Sequence, residues 1–188
     1  MQLSILTAHD ALENLTSSWL GLQNRCTYSD NSNHFLRFAD ALTQDANKAL
    51  QVVCLHDGRP HEELHGLFVT EQHRGWIASK RFHANWIAEP GLDSTPLIAE
   101  EQLYSAINTL LRCCHAELNC RKLVLRHLLP QHSFAHALLA VCEQLKLATQ
   151  VSSERKGHMC EIGIPLQRKS KLTLPTEQPW QDTLRSLP

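Results

Sequence analysis

The sequence contains 188 residues, which is enough for one domain with a sizeable hydrophobic core or for half of a two-lobed protein. Apolar residues make up 43% and charged residues 20%, a composition typical of a globular protein in water. The net charge is −1 with histidine neutral, so the chain has no basic field that would attract nucleic acid or an anionic membrane, and neither is an expected partner.

Twelve histidines and seven cysteines stand out in this composition. Protonation of every histidine would change the formal charge from −1 to +11, which makes a pH sensor conceivable, although histidines scattered over the surface are the preferred interpretation. Cys54, Cys114 and Cys142 fall on apolar faces, as small buried thiols do. Without a signal-like amino terminus or a run of about 18 apolar residues, the sequence predicts a reduced, cytoplasmic protein with no membrane span.

The first half of the chain changes from helical to strand-like periodicity near residue 49. Before that point the pattern predicts an edge strand at residues 3–6, a helix from residue 9 or 10 and a second helix from about residue 32. After it, the pattern predicts a three-stranded antiparallel meander at residues 50–55, 64–70 and 76–79. Asp57-Gly58 is a hairpin signal between the first two strands, and Gly66 predicts a bulge or a close-packing point.

The stretch at residues 94–129 predicts the element around which the others are arranged. Ser94, Thr95 and Pro96 indicate a helix start, with a hydroxyl N-cap followed by a proline where a helix accepts one. Glu100 and Glu101 then place negative charge in the first turn, where the helix dipole favours it. One apolar stripe at helical spacing follows, formed by Leu103, Ala106, Ile107, Leu110, Leu111, Cys114 and Leu118.

The last third of the chain predicts a buried strand at residues 123–125, a helix at 133–145 and a closing strand pair at 147–152 and 159–164. A long one-sided helix that leads into a fully apolar strand indicates a layered α/β or α+β domain. We therefore expect one domain at residues 1–165. The polar composition of residues 166–188 predicts a tail or linker, or the start of a second lobe.

The predicted elements are, in chain order, a strand, two helices, a meander, a long helix, a strand, a helix and a strand pair. This order resembles that of the GNAT acyltransferases. Four local stretches also resemble the amino-terminal lobe of the CelD/FemAB-like acyltransferases of bacterial polysaccharide and cell-wall synthesis. These stretches are Trp19-Leu20 with the helix of Phe35, Asp57-Gly58 followed by His65-Gly66-Leu67, the strand and proline of residues 123–130, and Cys160-Glu161-Ile162 followed by Trp180. The resemblance implies a GNAT-like three-layer sandwich in which a mostly antiparallel mixed sheet is flanked by helices.

The resemblance also implies acyl-CoA as the cofactor of an active member, bound by a glycine-rich turn whose N–H groups hold the pyrophosphate. At the expected position, residues 90–96, this chain has a single glycine, the negative charge of Asp93, and Pro96, which removes a donor. We therefore expect no cofactor in this chain alone and no catalytic residue, and a domain that serves as a substrate-cleft or structural lobe. Its partner would be a second acyltransferase lobe or a second copy. The alternative is a non-catalytic interaction module that docks a partner through the sheet edge or the first helix pair.

The stretch at residues 80–86 mixes cations, aromatic rings and an amide where the acyltransferase resemblance places the substrate cleft. We assign His83, Asn85 and Trp86 as candidate substrate-binding residues, with Asn85 able to hydrogen-bond a sugar or peptide group. Asparagine at position 85 removes a general-base role there. The competing interpretation is a capped loop whose Trp86 packs in the core.

Two further clusters contain residue types that form metal or catalytic sites. Cys113, Cys114 and His115 with Cys120 have the composition of a metal site, but adjacent helical cysteines point about 100° apart and no second ligand pair accompanies them, so no metal is expected. His56, Asp57 and His61 surround the hairpin and could join a serine in a triad. No nucleophile elbow accompanies them, so a solvated turn is the preferred interpretation. Cys26 and Cys160 likewise lack support as nucleophiles.

Overall fold

The computed structural model describes residues 1–26, 31–44, 50–74, 81–117, 121–153 and 159–166. The strands are β1 (Gln2–Thr7), β2 (Leu50–His56), β3 (Leu64–Arg74), β4 (Arg81–Asn85), β5 (Leu97–Ile98), β6 (Lys122–Leu128), β7 (Gln150–Ser153) and β8 (Cys160–Pro165). The helices are α1 (Ala8–Asn14), α2 (Thr16–Gln23), α3 (Phe35–Gln44), α4 (Leu103–Glu117) and α5 (Ser133–Gln144), and a 3-10 turn at Glu100–Gln102 precedes α4.

One eight-stranded sheet with the strand order β1-β2-β3-β4-β6-β8-β7 forms the middle layer, and the short β5 pairs with β3 beyond the end of β4. Every strand pair is antiparallel except β4 with β6, which is parallel. The strands β2, β3 and β4 form an antiparallel meander in chain order. The crossover through α4 then delivers β6 parallel to β4.

Both faces of the sheet are covered because β2 is apolar on both sides, and successive side chains of a strand point to opposite faces. Val53 and Leu55 pack into a core with α4, α5 and the strands β6 and β8. Val52 and Cys54 pack into a second core with α1, α2 and α3. This is a three-layer α/β sandwich with a mostly antiparallel mixed sheet, as the sequence predicts.

The start of the long helix differs from its prediction. The sequence predicts a helix start at residues 94–96, but α4 begins at Leu103. Ser94 is buried outside the helix, and its N–H donates to the carbonyl of His127 at 3.0 Å. The cap prediction is wrong because a hydroxyl before a proline favours a helix start only where the backbone is not committed to a distant partner. The first predicted helix is also divided, into α1 and α2 around Leu15.

Other predicted boundaries hold or lie outside the described residues. The edge strand, the hairpin strands, β6, α5 and the closing strand pair are confirmed within a few residues. The strand expected at residues 76–79 lies outside the described residues, and β4 is the third strand of the meander. Residues 167–188 also lie outside them, so the domain boundary at residue 165 stays a prediction. In the described part of the chain, every helix is too short or too polar to cross a bilayer.

Candidate functional site

The parallel strands β4 and β6 separate almost as soon as they meet. Their backbones pair only at His83 with Leu123 and at Ala84 with Val124, after which the strands diverge. The carboxyl ends of parallel strands, at the point where the chain order of a sheet changes, form the crevice in which α/β proteins commonly bind ligands. We call the opening beyond Ala84 and Val124 the β4–β6 crevice.

The side chain of Asn85 spans this crevice in place of a neighbouring strand. Its Nδ2 donates to the carbonyl oxygens of Arg126 at 2.9 Å and Ser94 at 2.8 Å, and its Oδ1 accepts from the Arg126 N–H at 2.7 Å. The Arg126 guanidinium donates in return from Nη2 to the Asn85 carbonyl at 2.9 Å. The side-chain amide therefore satisfies the backbone groups that the divergence of the strands leaves without partners.

Residues 93–95, which we call the inner segment, fill the rest of the β4–β6 crevice. All three are buried, and Ser94 is bound on one side by Asn85 and on the other by the carbonyl of His127. Asp93 Oδ1 accepts from the Thr95 N–H at 2.9 Å and from the Thr95 hydroxyl at 2.6 Å, which fixes the turn of the segment. The crevice is thus occupied by the chain itself.

The loop between α2 and α3 holds the inner segment from the other side. Asn31 forms a parallel backbone bridge with Asp93, and its Nδ2 donates to the Thr95 carbonyl at 2.9 Å and to the Asp93 carboxylate at 3.2 Å. The Ser32 N–H donates to the Asp93 carbonyl at 2.7 Å, and the hydroxyls of Ser32 and Ser94 lie 2.8 Å apart. The inner segment is therefore held by a loop that is about 60 residues away from it in sequence.

Asn33 connects this loop to the sheet. Its Oδ1 accepts from the Val69 N–H at 2.8 Å, and its carbonyl accepts from the indole N–H of Trp19 at 2.9 Å. Its own N–H donates to Asn31 Oδ1 at 2.7 Å. This local side-chain bond explains why α3 begins at Phe35 and not near residue 32, because an Asx turn competes with helical hydrogen bonding.

The 3-10 turn before α4 carries negative charge. Glu100 and Glu101 are exposed there, and the turn contains no glycine. Arg25 at the end of α2 holds Glu101 at 3.2 Å and Glu63 at 3.6 Å. The prediction that residues 90–96 open the long helix is wrong, because residues 99–102 lead into α4 and residues 93–95 form the inner segment.

The candidate substrate-binding residues are all buried. His83 and Asn85 share one face of β4, because alternate residues of a strand do. His83 Nδ1 lies 3.3 Å from the Thr70 hydroxyl, which donates to the Ala84 carbonyl at 2.9 Å, so Nδ1 is the donor and Nε2 is an acceptor with no hydrogen-bond partner in the described structure. Burial, aided by nearby His73, lowers the pKa of His83 and keeps it neutral.

Trp86 lies on the opposite side of the sheet from His83 and Asn85. Its ring meets Phe38 edge-to-face at a centroid distance of 5.9 Å, within the core that α1, α2 and α3 cover. The backbone N–H of Trp86 donates to the Val69 carbonyl at 2.9 Å. The structure thus brings two of the three candidates together, and the third packs in the core.

The cysteine constellation does not form a metal site in the described part of the chain. No group of three or more His, Cys, Asp or Glu residues able to hold a metal ion occurs there, and Cys120 lies outside it. Cys114 is buried in the α4 stripe. Burial raises the pKa values of Cys26, Cys54 and Cys142 to about 12, so these thiols are poor nucleophiles at neutral pH.

The hairpin after β2 is less solvated than expected. Asp57 and His61 are exposed, but His56 is only 2% exposed, so the solvated-turn interpretation is wrong for His56. His56 Nε2 lies 2.8 Å from the Ser4 hydroxyl of the edge strand β1. No local sequence signal could have identified Ser4, because the pair is separated by 52 residues and depends on the register of β1 with β2.

The strand order, the single parallel contact between β4 and β6, and helices on both faces define a GNAT-like fold. No protein-family model matches the chain, and no curated protein matches it. Among solved structures, it is similar to a chimera of the spermidine N-acetyltransferase SpeG from Vibrio cholerae, with 13% identity, a TM-score of 0.48 and coverage of 88% of this chain and 97% of that one.

Two further solved structures are N-acetyltransferases. Ribosomal-protein-alanine N-acetyltransferase from Brucella melitensis is 15% identical with a TM-score of 0.45, and the alignment covers 82% of this chain and 97% of that one. The N-acetyltransferase PseH from Campylobacter jejuni, in complex with acetyl coenzyme A, is 11% identical with a TM-score of 0.44, and coverage is 87% and 98%. At these identities and TM-scores, no property of these proteins is transferred to this chain.

Proposed function

We propose that this chain is a GNAT-like, acyltransferase-related domain that lacks a pyrophosphate turn of its own and acts as a substrate-cleft or structural lobe. The observation that carries this proposal is the occupation of the β4–β6 crevice by the inner segment and the Asn85 side chain. The narrower assignment to the amino-terminal lobe of a CelD/FemAB-like acyltransferase, with a second lobe as partner, rests on the short sequence motifs alone.

Opening the crevice to a ligand would break a connected set of buried hydrogen bonds. Asn85, Ser94 and Asn31 would each lose a partner, and every buried polar group left without one costs about 1–3 kcal/mol. A ligand would have to replace these bonds to bind. The closed crevice therefore favours a structural role over acyl-CoA binding.

The turn before α4 supports the same conclusion. A helix amino terminus attracts phosphate through free N–H groups and the positive end of the helix dipole. Glu100 and Glu101 oppose this attraction in the first turn. Arg25, which contacts this turn, is already bound to Glu101 and Glu63.

Substrate contacts by His83, Asn85 and Trp86 stay predictions. All three are at most 1% exposed, so a substrate would reach them only through a rearranged crevice. His83 is the strongest of the three, because its buried Nε2 could accept a hydrogen bond from a bound group.

Thermal unfolding with CoA and acetyl-CoA tests the proposal. A ligand present at 100 times its Kd stabilises the folded state by about 2.7 kcal/mol, enough to raise Tm by several degrees. We expect no rise for this chain at millimolar ligand, whereas an active acetyltransferase measured alongside should show one. A rise that grows with acetyl-CoA concentration would contradict the proposal. If such a rise occurs, the Glu101→Gln variant tests whether the phosphates bind at the turn before α4. Removing a negative charge there should then increase the affinity for acetyl-CoA.

The alternative function, an interaction module, is supported by the edge strand β1. This strand pairs only with β2 among the described strands, and its six residues include no charge and no proline, the usual protections of an edge. Strand addition by a second copy would show as a concentration-dependent dimer in sedimentation. Gln2→Lys with Thr7→Lys should weaken it, since both positions are exposed and flank the edge. A monomer at all concentrations would exclude self-association through this edge.

A further inference from the structure

Ser4 and His56 form a serine–histidine pair outside the β4–β6 crevice. The serine lies in the edge strand β1 and the histidine at the end of β2, and Ser4 Oγ is 2.8 Å from His56 Nε2. The other ring nitrogen, Nδ1, is 3.1 Å from the carbonyl oxygen of Gly58. The Ser4 hydroxyl, the His56 imidazole and the Gly58 carbonyl are therefore connected by two hydrogen bonds, and the carbonyl orients the imidazole. This arrangement activates nucleophiles in enzymes.

The hydrogen-bond partners fix the tautomer of His56. A carbonyl oxygen can only accept, so Nδ1 carries the hydrogen and donates to Gly58. Nε2 then presents its lone pair to Ser4, and the serine hydroxyl donates to it. Burial lowers the pKa of His56 and outweighs the opposing effects of the Gly58 carbonyl and Asp57, so the imidazole is neutral at pH 7. A neutral imidazole with a free Nε2 lone pair is the form that acts as a base.

We propose that Ser4 is a nucleophile that accepts an acyl group from activated acyl esters or thioesters, with His56 as its general base. In the step with an aryl ester, the Ser4 oxygen forms a bond to the acyl carbon, and the bond from that carbon to the aryl oxygen breaks. The Ser4 proton moves to His56 Nε2, and the phenolate leaves with the electron pair. The product is an ester on Ser4.

The position of Ser4 permits this reaction. The serine is only half-buried, and its strand pairs with β2 alone among the described strands, so a small ester can approach from the outer edge of the sheet. His56 is reached through the serine, because the imidazole itself is 2% exposed. The proposal is independent of the occupied crevice.

Acetylation by p-nitrophenyl acetate tests the proposal. The full chain should take up one acetyl group in a fast phase, and peptide mass spectrometry should locate that group on Ser4. Ser4→Ala should abolish the fast phase, and His56→Gln should slow it by about 100-fold or more, the usual contribution of a general base. Ser105→Ala is the matched control, since Ser105 is exposed on α4 and bonds only within its own turn, and it should react as the unaltered chain does.

The pH dependence separates base catalysis from simple exposure. The fast phase should rise with pH about a midpoint below 6.5, the ordinary pKa of histidine, because burial lowers the pKa of His56. The titratable groups that face His56 are Asp57, His65 and the Met1 amino group, so His65→Gln should move this midpoint without removing the phase. Equal reactivity of Ser4→Ala and the unaltered chain, or acetyl groups found only on lysines, would overturn the proposal. Because Ser4→Ala removes one hydrogen bond at a sheet edge, its melting curve should confirm that it folds.

Discussion

The Asn85 side chain forms the hydrogen bonds that the backbone of a neighbouring strand would otherwise form. Its amide bonds both the N–H and the carbonyl of Arg126 and adds the carbonyl of Ser94. We predict that Asn85→Ala lowers the free energy of unfolding by about 3 kcal/mol, because several buried groups lose partners at about 1–3 kcal/mol each. Urea denaturation measures the change.

Asn14→Ala is the matched control for that measurement. Asn14 is exposed and donates a single hydrogen bond, to the Asp10 carbonyl within α1, so the effect should stay within about 0.5 kcal/mol. Similar losses for the two variants would show that the Asn85 bonds contribute no more than a surface bond.

His83 should make stability depend on pH. Its pKa is lowered from 6.5 by burial, so the unfolded chain binds a proton more readily than the folded one below that pH. Stability should therefore fall as pH decreases from about 7 through 6.5 and below, and His83→Gln should flatten that fall. Melting curves between pH 5 and pH 8 provide the comparison. His9→Gln, which removes an 80% exposed histidine on α1, is the control variant.

Two glycines in different elements should respond oppositely to alanine. A Cβ at Gly66 in β3 would lie 2.9 Å from Leu55 Cδ1 and 3.3 Å from Ile98 Cγ1, so Gly66→Ala should destabilise the fold by about 1–3 kcal/mol. Gly21 in α2 has open space around it, so Gly21→Ala should stabilise by about 0.5–1 kcal/mol through helix propensity. Urea midpoints that move in the same direction would refute this prediction.

The elements that the sequence identified are those whose signal is local. The apolar run of β2, the Asp57-Gly58 turn and the stripe of α4 depend on neighbours a few residues away. Gly66, predicted as a bulge or a close-packing point, lies beside a shift in the register of β2 with β3 and packs closely against Leu55. Ser94 was misread because its cap-like hydroxyl serves a partner in the loop before α3. The inner segment and the Ser4–His56 pair could not be predicted, since both arise from contacts between residues that are more than 50 positions apart.

At the scale of the whole molecule, one sheet joins two cores. Phe38 belongs to the core beneath α1, α2 and α3, and Phe134 to the core beneath α4 and α5, and both are at most 1% exposed. We predict that Phe38→Ala and Phe134→Ala each lower the free energy of unfolding by about 3–5 kcal/mol within one cooperative transition. Coincident denaturation curves from tryptophan fluorescence and circular dichroism would support this, and separate transitions for the two layers would contradict it.

The brief meeting of β4 and β6 has a mechanical consequence. Tension applied between residues 1 and 166 must cross the sheet where two backbone residue pairs and the Asn85 amide hold its halves together. Helix α4 is the second connection between the half of the sheet that contains β1 to β4 and the half that contains β6 to β8, because it packs against β1, β2 and α5. In a pulling experiment, β4 and β6 should separate first. The unfolding force should therefore depend more on Asn85 and α4 than on the number of strands.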